Sequence, residues 1–505
     1  MQKKFNLAEK LHNSMVSSPD TKLVFEDKVY TFSEVDEMIR KTATFLSDLG
    51  IKKGDRIAIQ LPKSMEFIYF HLANLTIGAI TLPLNTEYSE EEIEYFLKDS
   101  ESSLFISYPE KYEKLKRMLN TLKIETILAE DVMQKIEKLK PFEGEYKAKG
   151  DDTAIIGYTS GTTGRSKGAM ITHNNLVLNM EALRKAWRWT QNDILLHTLP
   201  LFHFHGLGVA LHGALNAKSK IIMHKKFDPI RVWQTIEKEK ITMFMGVPTL
   251  YYRLIEAWKK MDKKPDISSM RVFISGSAPL SERLFYEFEK LTGHRILERY
   301  GMTEAGMIAS NPYEEDKRIP KSVGYALEGC TIKIIKDGRQ ARPNEVGEVY
   351  IKGNNVFKGY WRMPQKTEES FKDGWFITGD MGYMDETGRL FLVGRSKNMI
   401  ISGGYNVYPK EVEYALEEHP CVVESFVFGM EDEDFGERVE ALVKLKENGC
   451  AKADEIIKFC KDKIAHYKCP KKVYIVDEIP KNTMGKVVLK KVKEMIKDGK
   501  ISASN

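Results

Sequence analysis

Cysteine is scarce: the chain has five in 505 residues (Cys330, Cys421, Cys450, Cys460 and Cys469), an odd set without C-x-x-C spacing. That pattern argues against disulfides and zinc, and for a reducing compartment where thiols serve as small buried hydrophobes. Long apolar runs are also missing. The longest apolar region, Phe67 to Leu84, is interrupted by His71, Asn74, Gly78 and Pro83. It reads as a core helix running into a strand, so no integral membrane segment is expected. The N-terminal stretch carries no apolar core of a signal peptide, and the cytoplasm is the expected compartment. Nor is one charge in excess. A net charge of +5 is too small to imply nucleic acid. With 42% apolar and 30% charged residues, the composition is that of an ordinary globular protein. Its length exceeds what one core covers, so two or more domains are expected.

What is present centres on Tyr158-Thr-Ser-Gly-Thr-Thr-Gly-Arg-Ser-Lys-Gly-Ala-Met-Ile-Thr-His173. The apolar run Ala154-Ile155-Ile156 leads in as a buried strand. Glycines at 161, 164 and 168 let the backbone turn tightly and bring N–H groups close to an anion. Thr159, Ser160, Thr162 and Thr163 add hydroxyl donors, and Lys167 adds a point charge, so the set suits a polyphosphate. A P-loop requires G-x-x-x-x-G-K-[ST], and here Gly164 is followed by Arg-Ser-Lys-Gly. The other reading of the composition, a flexible surface linker, sits poorly after a buried strand.

Residues 1–150 alternate strand and helix patterns, including a hairpin over Leu23–Tyr30, a capping box at Thr31/Glu34 and an acidic helix after Ser89. Such alternation predicts a parallel sheet covered on both faces. After the Gly-rich loop a helix is expected over 174–187. Leu199-Pro-Leu-Phe-His-Phe-His-Gly206 then sets imidazoles among aromatic rings, a composition suited to an acyl chain and its carboxylate. His205 serves equally well as a core histidine. The turn Gly276-Ser277-Ala278 leaves room for a flat ring against backbone. In Glu298-Arg-Tyr-Gly-Met-Thr-Glu304, Tyr300 can stack on a purine, Thr303 can donate to a phosphate and Glu304 can hold Mg²⁺. Asp380, in Trp375-Phe-Ile-Thr-Gly-Asp, can accept from two ribose hydroxyls or sit in a structural ion pair. Gly403-Gly404 allows a narrow ligand to pass, and a second α+β unit of roughly 110 residues follows. Near its end Lys486 is presented on a Gly turn, where an ammonium could meet charge building on a carboxylate and phosphate.

Together these stretches resemble the adenylate-forming superfamily of acyl-CoA synthetases, adenylation domains and luciferases, over nearly the whole chain. The resemblance implies an α/β fold: a large N-terminal domain (1–395) of parallel-type sheets with flanking helices and a β-barrel-like subdomain, and a small mobile α+β domain (396–505). It implies ATP, Mg²⁺ and coenzyme A. It assigns ATP to Thr159–Gly164, Lys167, Gly276–Ala278, Glu298, Tyr300, Gly301, Met302, Asp380 and Arg395, the coenzyme A thiol's passage to Gly403 and Gly404, and Mg²⁺ to Thr159 and Glu304. Catalysis falls to Lys486, Thr303, Glu304 and His203, and the hinge to Lys397. Within the superfamily, Leu297–Glu304, Ser310–Tyr313, Asn355–Pro364, Asn406–Glu411 and Asn482–Lys486 are similar to the malonyl-CoA synthetase group. No aspartate stands near Phe202-His203 for an amino acid's amine. A second substrate carboxylate would need a buried cation, for which Arg299 and Arg253 are the candidates, with Ser277 as donor. The alternative for each arginine is a structural ion pair. Phe204 is larger than the residue expected there from that group. The implied activity is therefore acid–CoA ligation, on a small dicarboxylate such as malonate or methylmalonate, or on a medium- or long-chain fatty acid. A non-catalytic nucleotide-binding scaffold is the reading from another class. The expected partners are small molecules, not nucleic acid, and a homodimer is allowed.

Overall fold

The computed structural model describes residues 5–159, 166–402, 405–432, 436–447, 449–481 and 487–501. Three sheets carry the architecture. A six-stranded sheet runs in the order Glu125–Leu128, Leu104–Ser107, Arg56–Ile59, Ile80–Pro83, Thr153–Thr159, Lys167–Thr172, parallel except for the last pair. The Gly-rich stretch thus joins two antiparallel strands, with Thr159 opposite Lys167. The stretch returns through the strand Lys167–Thr172, and the helix expected over 174–187 forms at His173–Ala186.

The second sheet is fifteen-stranded and changes character along its length. Strands at 194–197, 220–223, 243–246, 272–275 and 297–302 are parallel, and the Leu23–Tyr30 hairpin pairs onto their edge. From Gly306–Ser310 onward the pairing is antiparallel. Among the described residues this antiparallel part continues the sheet. The junction strand, Leu297–Met302, is parallel on one side and antiparallel on the other, with a register shift between Tyr300 and Gly301. Such a bulge re-aims side chains. A third, five-stranded sheet draws all its strands from residues 400–475 and is covered by helices including Pro409–Glu417 and Ala453–Lys463.

Local signals formed as the sequence dictated. Glu34 accepts from the Thr31 backbone at 2.7 Å while Thr31 Oγ1 accepts from the Glu34 N–H at 3.1 Å, and Ser89/Glu92 repeat the device. Met65–Ile77 is buried on nearly every side, as its continuous apolar character requires. Among the described residues no helix is long and apolar enough to cross a membrane. The cysteine reading needs correction. Cys421 and Cys450 form a disulfide with Cα atoms 5.8 Å apart, and Cys330, Cys460 and Cys469 are free. The partners lie on segments brought together only by the third sheet and its helices, so no sequence spacing announces them.

Candidate active site

The junction strand 297–302 and the turn after it build the site, because strand alternation sends successive side chains to opposite faces. The Glu298 carboxyl accepts from the Leu280 N–H at 2.9 Å, and its other oxygen is buried without a partner. Burial pushes Glu298 up to about 8, so it is mostly protonated and neutral at pH 7. Arg299 beside it is 3% exposed, and its Nε and Nη2 have no partner among the described residues. Its guanidinium packs on Gly276 so closely that a Cβ there would lie 2.4 Å from Cζ. Gly276 is glycine because Arg299 occupies that space. Ser277 follows with φ of +69°, a left-handed strain of the kind that collects at functional sites.

The next residues form a second cluster. The Tyr300 hydroxyl donates to Asp380 Oδ2 at 2.5 Å, and Arg395 Nε donates to Asp380 Oδ1 at 3.0 Å. Asp380 and Arg395 are directly paired across neighbouring antiparallel strands. Gly301 and Met302 pair with Met307 and Gly306, which holds the turn against the sheet. Thr303 packs on Gly157, where a Cβ would come within 2.7 Å of its methyl. Glu304 accepts from Thr159 Oγ1 at 3.3 Å and from the Tyr360 hydroxyl at 3.2 Å. The Lys167 ammonium stands 4.1 Å above the Tyr360 ring. Lys397, in the turn Ser396–Asn398, lies within electrostatic reach of Arg395, Asp380, Lys167 and Glu304, and burial, then the Arg395 charge, lowers its pKa to about 8. Carboxylate and hydroxyl oxygens flanked by cations fit both Mg²⁺ and phosphate: the donor set of Thr159 and Glu304 is all hard oxygen.

A cavity of about 1010 Å³ has His203, His205, Ser277 and Arg253 among its lining residues. His205 opens a π-helical turn, His205–Leu211, of a type common at functional sites. It is 2% exposed, its Nδ1 lies 3.4 Å from Ser277 Oγ and its Nε2 has no partner. Burial, then the neighbouring Arg299 charge, lowers its pKa well below the usual histidine value, so it is neutral. His203 Nδ1 accepts from the His205 N–H at 3.3 Å.

The structure therefore separates residues that look alike in sequence. Arg299 is buried directly behind the Gly276–Ser277 wall, whereas Arg253 is exposed at the cavity's rim. Phe204 does not line this cavity; its ring lies against Gly208 and Gly306. Ala278 stays half-exposed in the same turn as Ser277. Ser160, Gly161, Thr162, Thr163, Gly164, Gly403, Gly404 and Lys486 lie outside the described residues. Sequence reasoning missed Tyr360, whose partner Glu304 is 56 residues away, and left His205 undecided; no local signal marks either.

The AMP-binding enzyme family matches residues 12–361, and the AMP-binding enzyme C-terminal domain matches residues 411–486. A malonate–CoA ligase of Arabidopsis thaliana is 37% identical, covering 89% of this chain and 79% of that protein. A long-chain-fatty-acid–CoA ligase of Bacillus subtilis is 33% identical over 96% of this chain and 93% of its own. The crystal structure of ATP-bound MatB from Rhodopseudomonas palustris superposes with a TM-score of 0.92 at 38% identity, covering 98% and 99% of the two chains. The chain, with its Thr159–Glu304–Tyr360 and Tyr300–Asp380–Arg395 clusters on a two-part framework, belongs to the AMP-binding enzyme family.

Proposed function

We propose that this protein is an ATP-dependent acid–CoA ligase acting on a small dicarboxylate, malonate or methylmalonate first. The observation that carries the substrate reading is Arg299. A buried guanidinium with two unpartnered nitrogens, beside a neutral Glu298 and a neutral His205, lacks its counter-charge. An unpaired buried charge costs several kcal/mol, roughly 3–5 when one partner of a pair is removed, so a ligand carboxylate is its fitting complement. The malonate–CoA ligase relative points the same way.

In this reading one carboxylate of the acid faces Arg299 and Ser277, and the other faces the nucleotide. That second carboxylate oxygen attacks the α-phosphorus of ATP, pyrophosphate leaves, and an acyl-adenylate is formed. The thiol of coenzyme A then attacks the acyl carbon and AMP departs. Asp380 and Arg395 hold the ribose, the wall Gly276–Ala278 the adenine, and Lys167 with Ser160–Gly164 the phosphates. Mg²⁺ at Thr159 and Glu304 would neutralise phosphate charge. Thr303 donates to the α-phosphate, and Lys486 neutralises charge at the same centre. Residues 396–505 move about Lys397, withdraw Lys486 and bring Gly403-Gly404 to the thiol's path. His203 orients the reacting carboxylate.

Pyrophosphate release measured with malonate, methylmalonate, hexanoate and palmitate tests this directly. The dicarboxylates are expected to be turned over with kcat/KM at least about tenfold above the others, a difference of about 1.4 kcal/mol. A second reading has its own observation: Leu199, Leu201, Phe202 and Leu250 line a cavity roomier than malonate needs, and the Bacillus subtilis relative is a long-chain ligase. Preference for palmitate would establish that reading and overturn the first. ATP binding without pyrophosphate release from any acid would leave only a scaffold.

The nucleotide assignment gives a separate expectation. Asp380→Asn removes the charge from a carboxylate placed to accept ribose hydroxyls, and charged hydrogen bonds contribute roughly 1.5–3 kcal/mol each. The KM for ATP should rise about tenfold or more while the KM for the acid stays within twofold. Steady-state kinetics with each substrate varied in turn decides it; equal rises in both would show a general disruption instead.

A further inference from the structure

Lys63 is the residue that the proposed reaction leaves unexplained. It follows the strand Arg56–Ile59 and directly precedes Ser64, the N-cap of the helix Met65–Ile77. It is 8% exposed, lines the same cavity as His203 and His205, and forms no ion pair within 4.0 Å among the described residues. Burial lowers the Lys63 pKa well below the usual lysine value, and its Nζ has hydrogens to donate in either protonation state, so its neighbours need explanation. They are both atoms of one residue: Lys63 Nζ lies 2.7 Å from the His197 carbonyl oxygen and 2.9 Å from His197 Nδ1. On the far side of the ring, His197 Nε2 is 2.9 Å from the carbonyl oxygen of Gly206.

These distances determine the proton positions. The Gly206 carbonyl can only accept, so His197 Nε2 carries the hydrogen. Burial, reinforced by the Lys63 charge, lowers the His197 pKa well below the usual value, so the ring is neutral and Nδ1 is bare. Nδ1 must then accept from Lys63. The lysine thus reinforces, from the Nδ1 side, the tautomer that donates to Gly206. Gly206 is a demanding place: a Cβ there would lie 2.0 Å from the Pro200 carbonyl oxygen, and the Leu207 N–H donates back to the His203 carbonyl at 2.9 Å. The segment 199–206, with His203 and His205, is folded tightly on itself and fastened at Gly206.

We infer that Lys63 is a positioning residue of the acid site: it reinforces the His197 tautomer, which anchors the Gly206 carbonyl and so aligns His203 and His205. This rests on the reading that the cavity holds the acid. The other end of the site, at Asp380 and Glu304, has no link to this relay among the described hydrogen bonds. Its effect should therefore fall on one substrate only.

Two measurements on the full-length protein test it. Side-chain ¹⁵N shifts of the histidines, with His197 assigned by its loss in His197→Gln, should show His197 protonated at Nε2 in the wild type. In Lys63→Met the Nδ1 tautomer should become populated. In the same variant the KM for the acid that the panel identifies should rise about tenfold, with the KM for ATP within twofold. Lys63→Arg, which keeps a donor, should restore the Nε2 tautomer and bring the acid KM to within about threefold of wild type. It also serves as the test variant should Lys63→Met fail to fold. An Nδ1-protonated His197 in the wild type, an unchanged acid KM in Lys63→Met, or an equal rise in both KM values overturns the inference. If the panel finds no acid turned over, the proposed function fails; the tautomer measurement alone then decides whether the relay exists.

Discussion

Arg299→Met is expected to lower kcat/KM for malonate by about two to three orders of magnitude while the protein stays folded. The loss follows from the two buried guanidinium nitrogens that have no partner among the described residues. Truncating one member of a buried, hydrogen-bonded charge pair costs roughly 3–4 kcal/mol at the lower end of its range, which is roughly 10²- to 10³-fold at 1.4 kcal/mol per tenfold. Methionine fills a similar volume without a charge, so no buried guanidinium is left unpaired. Its Tm should be equal to or above that of wild type. Discrimination should also invert: propionate, which lacks the second carboxylate, should lose little or gain. A structural ion-pair role makes the opposite forecast, a lower Tm with malonate and propionate affected alike. Kinetics on the two acids plus one melting curve separate the cases. Retention of full malonate turnover would remove Arg299, and with it the main physical support for a dicarboxylate.

Lys486→Ala is expected to slow acyl-adenylate formation by about 10²- to 10³-fold and to leave the second half-reaction intact. A donor aimed at developing phosphoryl charge typically contributes roughly 2.7–4 kcal/mol, and alanine offers nothing in its place. Thiol attack on a preformed acyl-adenylate needs no such neutralisation, since AMP is already the leaving group. The measurement is pyrophosphate exchange for the first half and CoA thioester formation from synthetic malonyl-adenylate for the second. Equal losses in both would mean that residues 396–505 do not withdraw Lys486 between the steps. An unchanged exchange rate would overturn its catalytic role.

How much of this could be seen without coordinates depends on distance along the chain. The capping boxes at Thr31 and Ser89, the 23–30 hairpin and the buried helix after Ser64 are local, and each follows from residues within a turn or two. The nucleotide motifs could be named from residue chemistry and resemblance, but not their connections. Tyr300 reaches Asp380 across 80 residues and Thr159 reaches Glu304 across 145. Composition offered ring stacking for Tyr300, whereas its hydroxyl is engaged by Asp380.

The disulfide Cys421–Cys450 and the relay from Lys63 to His197, 134 residues apart, had no sequence signal at all. By itself the sequence determined the family, the α/β class and the chemistry on offer: hydroxyls, one glycine-rich turn, carboxylates and lysines of the right kinds in order. Only the tertiary structure decided which of two arginines is the buried one. Strand alternation carried Arg299 inward behind Gly276, while helix geometry left Arg253 at the rim. The physical reason is that charge acquires a function through desolvation, and desolvation is set by what the rest of the chain packs around it.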